Sequence, residues 1–374
     1  MKYCTKCLMP NTKPFLSFND KGVCSACINH EKKQIDKDGI NWIDREKEFR
    51  ELINNIKSHK NKLYDVVIPV SGGKDSITQV HIAFKYGLRP LAVNVDYGIK
   101  TEIGRKNLNI VPSMGATLIT VRPPQKIHKK LIKIGFEDYG DPDLMSHPLL
   151  YAFPHIVAIA FKTPLILWGE QSGFEYCDDS FSYNSCQIDR VWFLKHVVGK
   201  NITINDISKK YNISLDNLLI YDFPEDELKK SGIISTFLGC YFKWDSEENL
   251  KTAKSYGFNT LPHAREGTFR NYVGIDEKIN RIHQYMKVLK FGYGRATDHA
   301  CEEIRNGRMT REEAIEKVKK HDIQALSDYY VDDFCNYLGY SKEEFWSIMK
   351  KHCNNKICNI KDDKSLEVFG HKHF

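Results

Sequence analysis

The stretch that most constrains this chain is residues 64–87, YDVVIPV followed by SGGKDS and then ITQVHIAFKYG. A β-branched apolar run stops at Ser71-Gly72-Gly73-Lys74-Asp75-Ser76, and residues at helical spacing follow at once. A strand that turns through glycines into a helix aims backbone N–H groups and the helix N-terminus at an anion. Gly72 and Gly73 let the backbone come close to phosphate oxygens, and Lys74 adds a full positive charge. A turn of this kind belongs at the carboxyl end of a parallel strand.

The pattern then repeats. Further strands are expected over 90–96, 117–121, 164–170 and 233–245, with helices over 101–115, over 147–162 and from Ser246 onward. Alternating strands and helices predict an α/β fold, a Rossmann-like parallel sheet with helices on both faces. Ligands of such sheets lie at the strand carboxyl ends. There the sequence places the residues 71–76, Asn94 with Asp96, and Glu170 with Gln171. Asp75 and Glu170 are the carboxylates best suited to hold Mg2+ against phosphates, because hard cations take oxygen ligands. Asp96 and Glu170 read alone could equally be capping or surface carboxylates.

The hexapeptide is not a Walker A loop, since Lys74 precedes Asp75 rather than Ser or Thr and position 68 is not glycine. SGGKDS instead resembles the signature of the PP-loop ATP pyrophosphatases, which split ATP into AMP and pyrophosphate while adenylating a substrate oxygen. That resemblance implies that residues 71–76, Asn94 and Asp96 bind ATP, and that Lys74, Asp75 and Glu170 act in catalysis.

Cys4-x2-Cys7 and Cys24-x2-Cys27 form two knuckles at zinc-ribbon spacing. Four thiolates close a tetrahedron and leave no open position, so the Zn2+ expected there is structural. The chain has 374 residues, 41% of them hydrophobic, and lacks an apolar run long enough to span a membrane. The start, MKYCTKC, lacks the apolar core of a signal peptide, and a cytoplasmic location is expected. Eleven cysteines in that setting read as metal ligands and buried thiols rather than a disulfide framework. The net charge of +7 suits an anionic nucleotide and does not by itself imply nucleic acid.

The expected organisation is a zinc ribbon over 1–30 and a helical linker over 31–63, with Trp42, Phe49, Leu52 and Ile56 on one face. An ATP-binding domain over 64–260 follows, with an insertion at 171–230, and then a helical region over 261–374. Within the insertion, GEQSGFEYCDDSFSYN has the composition of a substrate loop. Capping boxes start helices after Thr310 and Ser341. In the segment 290–299, KFGYGRATDH, glycines could let the backbone approach a ligand while Arg295 meets an anion. The alternative is a helix–helix turn capped by Asp298. The tail after Cys353 is polar and yields no assignment.

Taken together, YCTKCLMP, CSAC, VSGGKDS, WGEQSGFEY, FRNYVGIDEKI and FGYGRATDHA resemble the N-acetyl sugar amidotransferases. Those enzymes serve bacterial surface glycans: lipopolysaccharide O-antigens and the nonulosonic acids of flagellin, such as pseudaminic and legionaminic acid. The resemblance implies that ATP activates the oxygen of a sugar acetamido group and ammonia then displaces AMP, leaving an acetamidino group. It implies a nucleotide-activated or free N-acetylated sugar as substrate, with Gln171, Glu175, Tyr176, Arg295, Asp298 and His299 facing it. Position 2 is lysine rather than a catalytic cysteine, and no G-x-C-x-G elbow occurs, since Cys240 lies in LGCYF. A separate glutaminase is therefore expected to supply ammonia.

Two other readings compete. A tRNA thiolase also joins a PP-loop to zinc knuckles, and Cys177 and Cys186 flank the substrate loop. They are not a Cys-x-x-Cys pair, and the charge is mild for tRNA. A purely docking role for the ribbon would leave SGGKDS unexplained.

Overall fold

A computed structural model describes residues 1–34, 39–58, 62–170, 186–198 and 202–373. Five parallel strands, β1 (Val66–Pro69), β2 (Pro90–Val95), β3 (Thr117–Val121), β4 (Leu165–Trp168) and β5 (Ile234–Phe237), form one sheet in the order β3-β2-β1-β4-β5. The first seven helices are α1 (Ser25–Gln34), α2 (Trp42–Ser58), α3 (Lys74–Lys85), α4 (Glu102–Leu108), α5 (Ile110–Ser113), α6 (Gln125–Tyr139) and α7 (Ser146–Ala160). The expected α/β class with a parallel sheet is what the chain adopts.

The period-2 alternation of β1 sorts its side chains between two layers. Val66, Ile68 and Val70 join Phe49, Ile53 and Ile56 of α2 and Val80 and Ala83 of α3 on one face. Val67, with Leu91, Val93 and Ile166, joins Val157 and Ala158 of α7 on the other, where Trp192 and Phe193 also pack. Residues 42–58, expected in a linker, thus supply a covering helix of the sheet. The helix expected over 101–115 is broken at Asn109, and Pro112, which has no N–H to donate, lies in the short second piece. The fifth strand is shorter than expected. β4 offers only Leu165–Trp168 to pair with, so β5 ends at Phe237 and the chain turns through Leu238–Cys240.

Beyond the sheet, the helices Ile279–Phe291, Asp328–Leu338 and Lys342–Lys351 bury Ile282, Tyr285, Leu289, Phe334 and Phe345 against Ile132 and Phe136 of α6. The tail closes this core as an antiparallel hairpin of β6 (Cys358–Ile360) and β7 (Leu366–Val368), with Cys358, Leu366 and Val368 inside. At the other end of the chain, Cys4, Cys7, Leu8, Cys24 and Cys27 share a core with Ala300, Cys301, Ala314 and Val318. The first thirty residues therefore sit on the helices Arg295–Arg305 and Arg311–His321. One departure from the all-thiol expectation appears: Cys186 and Cys240 form a disulfide. It ties Cys186 to the turn after β5. No helix among the described residues is long and apolar enough to cross a membrane.

Two buried histidines hold the layers together as hydrogen-bonding neutral rings. His155 of α7 bonds the Tyr151 carbonyl through Nδ1 (2.7 Å) and Ser235 of β5 through Nε2 (2.9 Å). His128 of α6 stacks on Tyr97 with ring centroids 4.8 Å apart and bonds the Tyr221 hydroxyl at 3.0 Å. Burial lowers both to about 4. A histidine depressed in the fold binds its proton first in the unfolded chain, so stability falls as pH drops from about 6.5 to about 4. Thermal unfolding should show a declining midpoint across that window. His155→Gln should flatten part of the decline, worth up to about 3 kcal/mol.

Candidate active site

In the order β3-β2-β1-β4-β5, connections leave β1 and β4 in opposite directions, so a crevice opens where their carboxyl ends lie side by side. The chain delivers residues 71–76 to that point from β1, and Gly169 and Glu170 from β4. The turn is braced internally: the Ser71 N–H donates to Ser76 Oγ (3.0 Å), and the Gly73 N–H to Ser71 Oγ (3.2 Å). Lys74 Nζ lies 2.7 Å from Asp75 Oδ2, while Asn249 Nδ2 donates to Asp75 Oδ1 at 2.8 Å.

The two glycines differ in what they serve. Gly72 has φ +93°, and a Cβ there would meet the Gly104 carbonyl oxygen at 2.8 Å and the Leu108 nitrogen at 2.9 Å. The fold itself demands this glycine. Gly73 is extended, with φ −77°, and a Cβ would meet only Ser71 Oγ, at 3.3 Å, among the described residues. No packing constraint explains Gly73, whose N–H is taken up by Ser71 Oγ at the start of α3.

A cavity of about 350 Å3 joins this turn to the C-terminal helices. Lys74, Asp75 and Glu170 line one side, and Arg295, Asp298 and His299 line another. The helix Arg295–Arg305 is held from outside by Asp322, whose carboxylate accepts from the N–H groups of Gly294 (2.8 Å) and Ala296 (3.0 Å) and from the Thr297 hydroxyl (2.5 Å). A Cβ on Gly294 would lie 2.5 Å from Asp322 Oδ1, and one on Gly292 would strike Ile357. The glycines of this segment therefore admit parts of the protein. Asp298 is not a turn cap; it lies in the first helical turn and pairs with Lys287. Burial opposes its ionisation, yet Lys287 and Lys13 hold it below the usual carboxylate range. Burial and the cations Arg270, Arg295, Lys74 and Lys287 push His299 well below its usual value, so it is a neutral ring bonded to Thr268 Oγ1 at 2.9 Å. The Arg295 guanidinium makes no hydrogen bond or ion pair with any described residue.

Ser71, Asn94 and Asp96 face a separate, smaller cavity of about 100 Å3 together with Lys100, Asp143, His147 and Glu277. Asn94 Nδ2 donates to the Val70 carbonyl at 2.7 Å, and its buried Oδ1 has no partner among the described residues. Asp96 pairs with Arg122 and accepts from the Gly98 N–H at 2.8 Å. Burial, with Asp143 and Asp276 nearby, pushes Glu277 up to about 8. Lys100 Nζ donates to the Ser71 carbonyl at 2.9 Å, linking the two cavities through the turn.

The four ribbon thiols lie within 4.8 Å of one another. Cys4 and Cys27 are 3.9 Å apart and Cys7 and Cys24 3.7 Å, against the edge of about 3.8 Å that a tetrahedron of 2.3 Å Zn–S bonds requires. The set fits Zn2+. The Leu8 N–H donates to Cys301 Sγ at 3.3 Å, and Met9, Lys13 and Ala26 form part of the wall of the larger cavity.

Gln171, Glu175, Tyr176 and Cys177 lie outside the described residues. Sequence reasoning passed over Arg270, Lys287, His283 and Glu277. Arg270 and Glu277 stood inside the FRNYVGIDEKI stretch, whereas Lys287 and His283 sit on an ordinary amphipathic helix that gave no signal.

Residues 266–368 match the family described as LPS biosynthesis protein WbpG-like, C-terminal domain. No curated protein sequence matches this chain. Solved structures similar to it include the NMN synthetase from Francisella tularensis, at 9% identity over 80% of this chain and 94% of that one, with a TM-score of 0.34. Another is the NH3-dependent NAD synthetase from Campylobacter jejuni subsp. jejuni, at 12% identity over 61% and 100%, with a TM-score of 0.28.

Two experiments follow from the geometry. Gly72→Ala should lower stability by about 2 kcal/mol. Gly73→Ala should leave stability within about 0.5 kcal/mol of wild type. Thermal unfolding separates the two. Elemental analysis should find about one zinc per chain. Its removal by a chelator should lower both the unfolding midpoint and the ligand affinity of the cavity that Met9, Lys13 and Ala26 help to form.

Proposed function

We propose that this chain is an ATP-dependent amidotransferase that turns a sugar acetamido group into an acetamidino group, using ammonia made by a separate glutaminase. The observation that carries this reading is the larger cavity. It joins Lys74, Asp75 and Glu170 beside the glycine turn to Arg295, Asp298 and His299, which belong to the WbpG-like region.

An amide carbonyl is a poor electrophile, and the chemistry begins by changing its oxygen into a leaving group. The amide oxygen attacks the α-phosphorus of ATP, the bond to the bridging oxygen of the β-phosphate breaks, and pyrophosphate departs. Charge growing on the pyrophosphate is met by the N-terminus of α3 and by Lys74. Asp75 and Glu170 are oxygen donors on the same wall, the donor type Mg2+ prefers, and bound Mg2+ would neutralise phosphate charge. Ammonia then adds to the activated carbon, and the C–O bond to AMP breaks. Arg295, with no ionic partner among the described residues, is suited to an anionic group on the substrate, and neutral His299 to a hydroxyl or carbonyl.

In the smaller cavity behind Ser71, the unpartnered Asn94 Oδ1 is an acceptor suited to a single polar group of ATP. Cys240 is bonded to Cys186 and offers no thiolate for glutamine hydrolysis. The same bond occupies the one described cysteine of the pair on which a thiolase reading rests.

Incubation with ATP, Mg2+, ammonium and a panel of free and nucleotide-linked acetamido sugars should give a product in which O is replaced by NH, with AMP and pyrophosphate in equal amounts. Glutamine alone should not replace ammonium. Lys74→Ala should reduce turnover about 100- to 1,000-fold. Amidine formation that survives both Lys74→Ala and Asp75→Ala would overturn the assignment.

A further inference from the structure

We propose that His283, oriented by Asp141, is the general base of the ammonia step. The assignment rests on the amidine-forming reaction above and concerns its second half. His283 lies on the helix Ile279–Phe291, 142 residues from Asp141, and its Nδ1 is 3.0 Å from Asp141 Oδ1 and 3.5 Å from Asp143 Oδ2. Carboxylates only accept, so Nδ1 carries the proton, and the neutral ring keeps its lone pair on Nε2. Nε2 has no hydrogen-bond partner among the described residues.

The ring lines the larger cavity, where Lys74, Asp75 and Glu170 also stand. It lines as well an adjoining chamber of about 290 Å3, which shares Lys13, His283 and Lys287 with the larger one. On its other side Asp143 and His147, whose ring centroid is 5.9 Å from that of His283, face the smaller cavity behind Ser71. His283 thus stands between the two larger spaces, with Asp143 and His147 between it and the smaller one.

The reaction needs a base there. Ammonia adds to the adenylated carbon as a neutral molecule, so the adduct bears a C–NH3+ group. The lone pair on the sugar nitrogen could expel AMP only by forming a dication, so collapse awaits loss of a proton from that group. Nε2 takes the proton, the C–O bond to AMP breaks, and the amidine forms; the imidazolium then returns its proton to solvent. The Lys74 and Lys287 ammonium groups are poorly placed to take a proton, and Asp298 is already paired with Lys287. Around the ring, burial and Lys287 disfavour the imidazolium, while Asp141 and Asp143 favour it and prevail, so His283 is raised. Lys13, His196, Lys290 and His147 are further titratable groups around it.

The test compares wild type, His283→Gln and Asp141→Asn in two half-reactions. Pyrophosphate exchange with ATP and the acetamido sugar reports adenylation. Product formation is followed with ammonium and with hydroxylamine, whose adduct is acidic enough to shed its proton to water. His283→Gln should keep exchange within about threefold and lose amidine formation about 100-fold or more with ammonium. With hydroxylamine the loss should be under about tenfold. In Asp141→Asn the rising limb of the ammonium reaction, normalised to free ammonia, should move to lower pH, because the carboxylate that favours the imidazolium is gone. Equal losses with both nucleophiles, an unshifted limb in Asp141→Asn, or loss of exchange in a folded His283→Gln would overturn the assignment. Failure of the wild type itself on every acetamido sugar would overturn the reaction reading, and the assignment with it.

Discussion

The wall of the cavity that faces the glycine turn depends on one buried carboxylate. Asp322 takes the place of a side-chain cap on the helix Arg295–Arg305, whose own cap residue, Gly294, has no side chain to offer. Its charge lies at the positive end of the helix dipole, and its oxygens satisfy backbone N–H groups that would otherwise be buried without partners. Losing such an acceptor costs on the order of 3 kcal/mol, and the loss would fall on the helix that carries Arg295, Asp298 and His299. The same helix presents Ala300 and Cys301 to the four-cysteine cluster. The cavity-lining side chains and the four-cysteine ribbon are therefore set by one anchoring point.

Ion pairing gives this region rigidity without cancelling its charge. Arg270 holds Glu302 at 2.7 Å and pairs with Glu303, and Arg308 joins Glu303 at 2.6 Å to Asp245 at 2.8 Å. Asp245 in turn caps the helix Ser246–Ser255, which supplies Asn249 to Asp75. A continuous polar network thus runs from the C-terminal helices to the residue beside Lys74. Such a network positions groups before a substrate arrives, which is where much catalytic advantage originates.

The parts legible in the sequence were those encoded by near neighbours. The strand–glycine–helix unit, the alternation of β1 and the two Cys-x2-Cys knuckles are local patterns, and the parallel sheet and the four-thiol cluster followed from them. The pairing partner of a segment is not local. The length of β5 is set by β4, and the hairpin 358–368 is stabilised by a helix some seventy residues earlier. Gly294 read as room for a ligand because Asp322, which fills that room, lies 28 residues away. His283 gave no signal because Asp141 comes from the far end of α6. Gly72 and Gly73 were indistinguishable in sequence; only the approach of α4 separates a glycine the fold requires from one it does not.

The docking of the ribbon on the helices Arg295–Arg305 and Arg311–His321 bears on how the protein is made. The first thirty residues leave the ribosome early, and four cysteines can capture metal at once. The surface that covers Leu8 and Met9 is synthesised some three hundred residues later. At the usual pace of translation that interval is tens of seconds, during which the knuckle exposes an apolar flank. Sequence separation on this scale slows closure of the final contact. The nascent ribbon is therefore the part of this chain with most to gain from a chaperone.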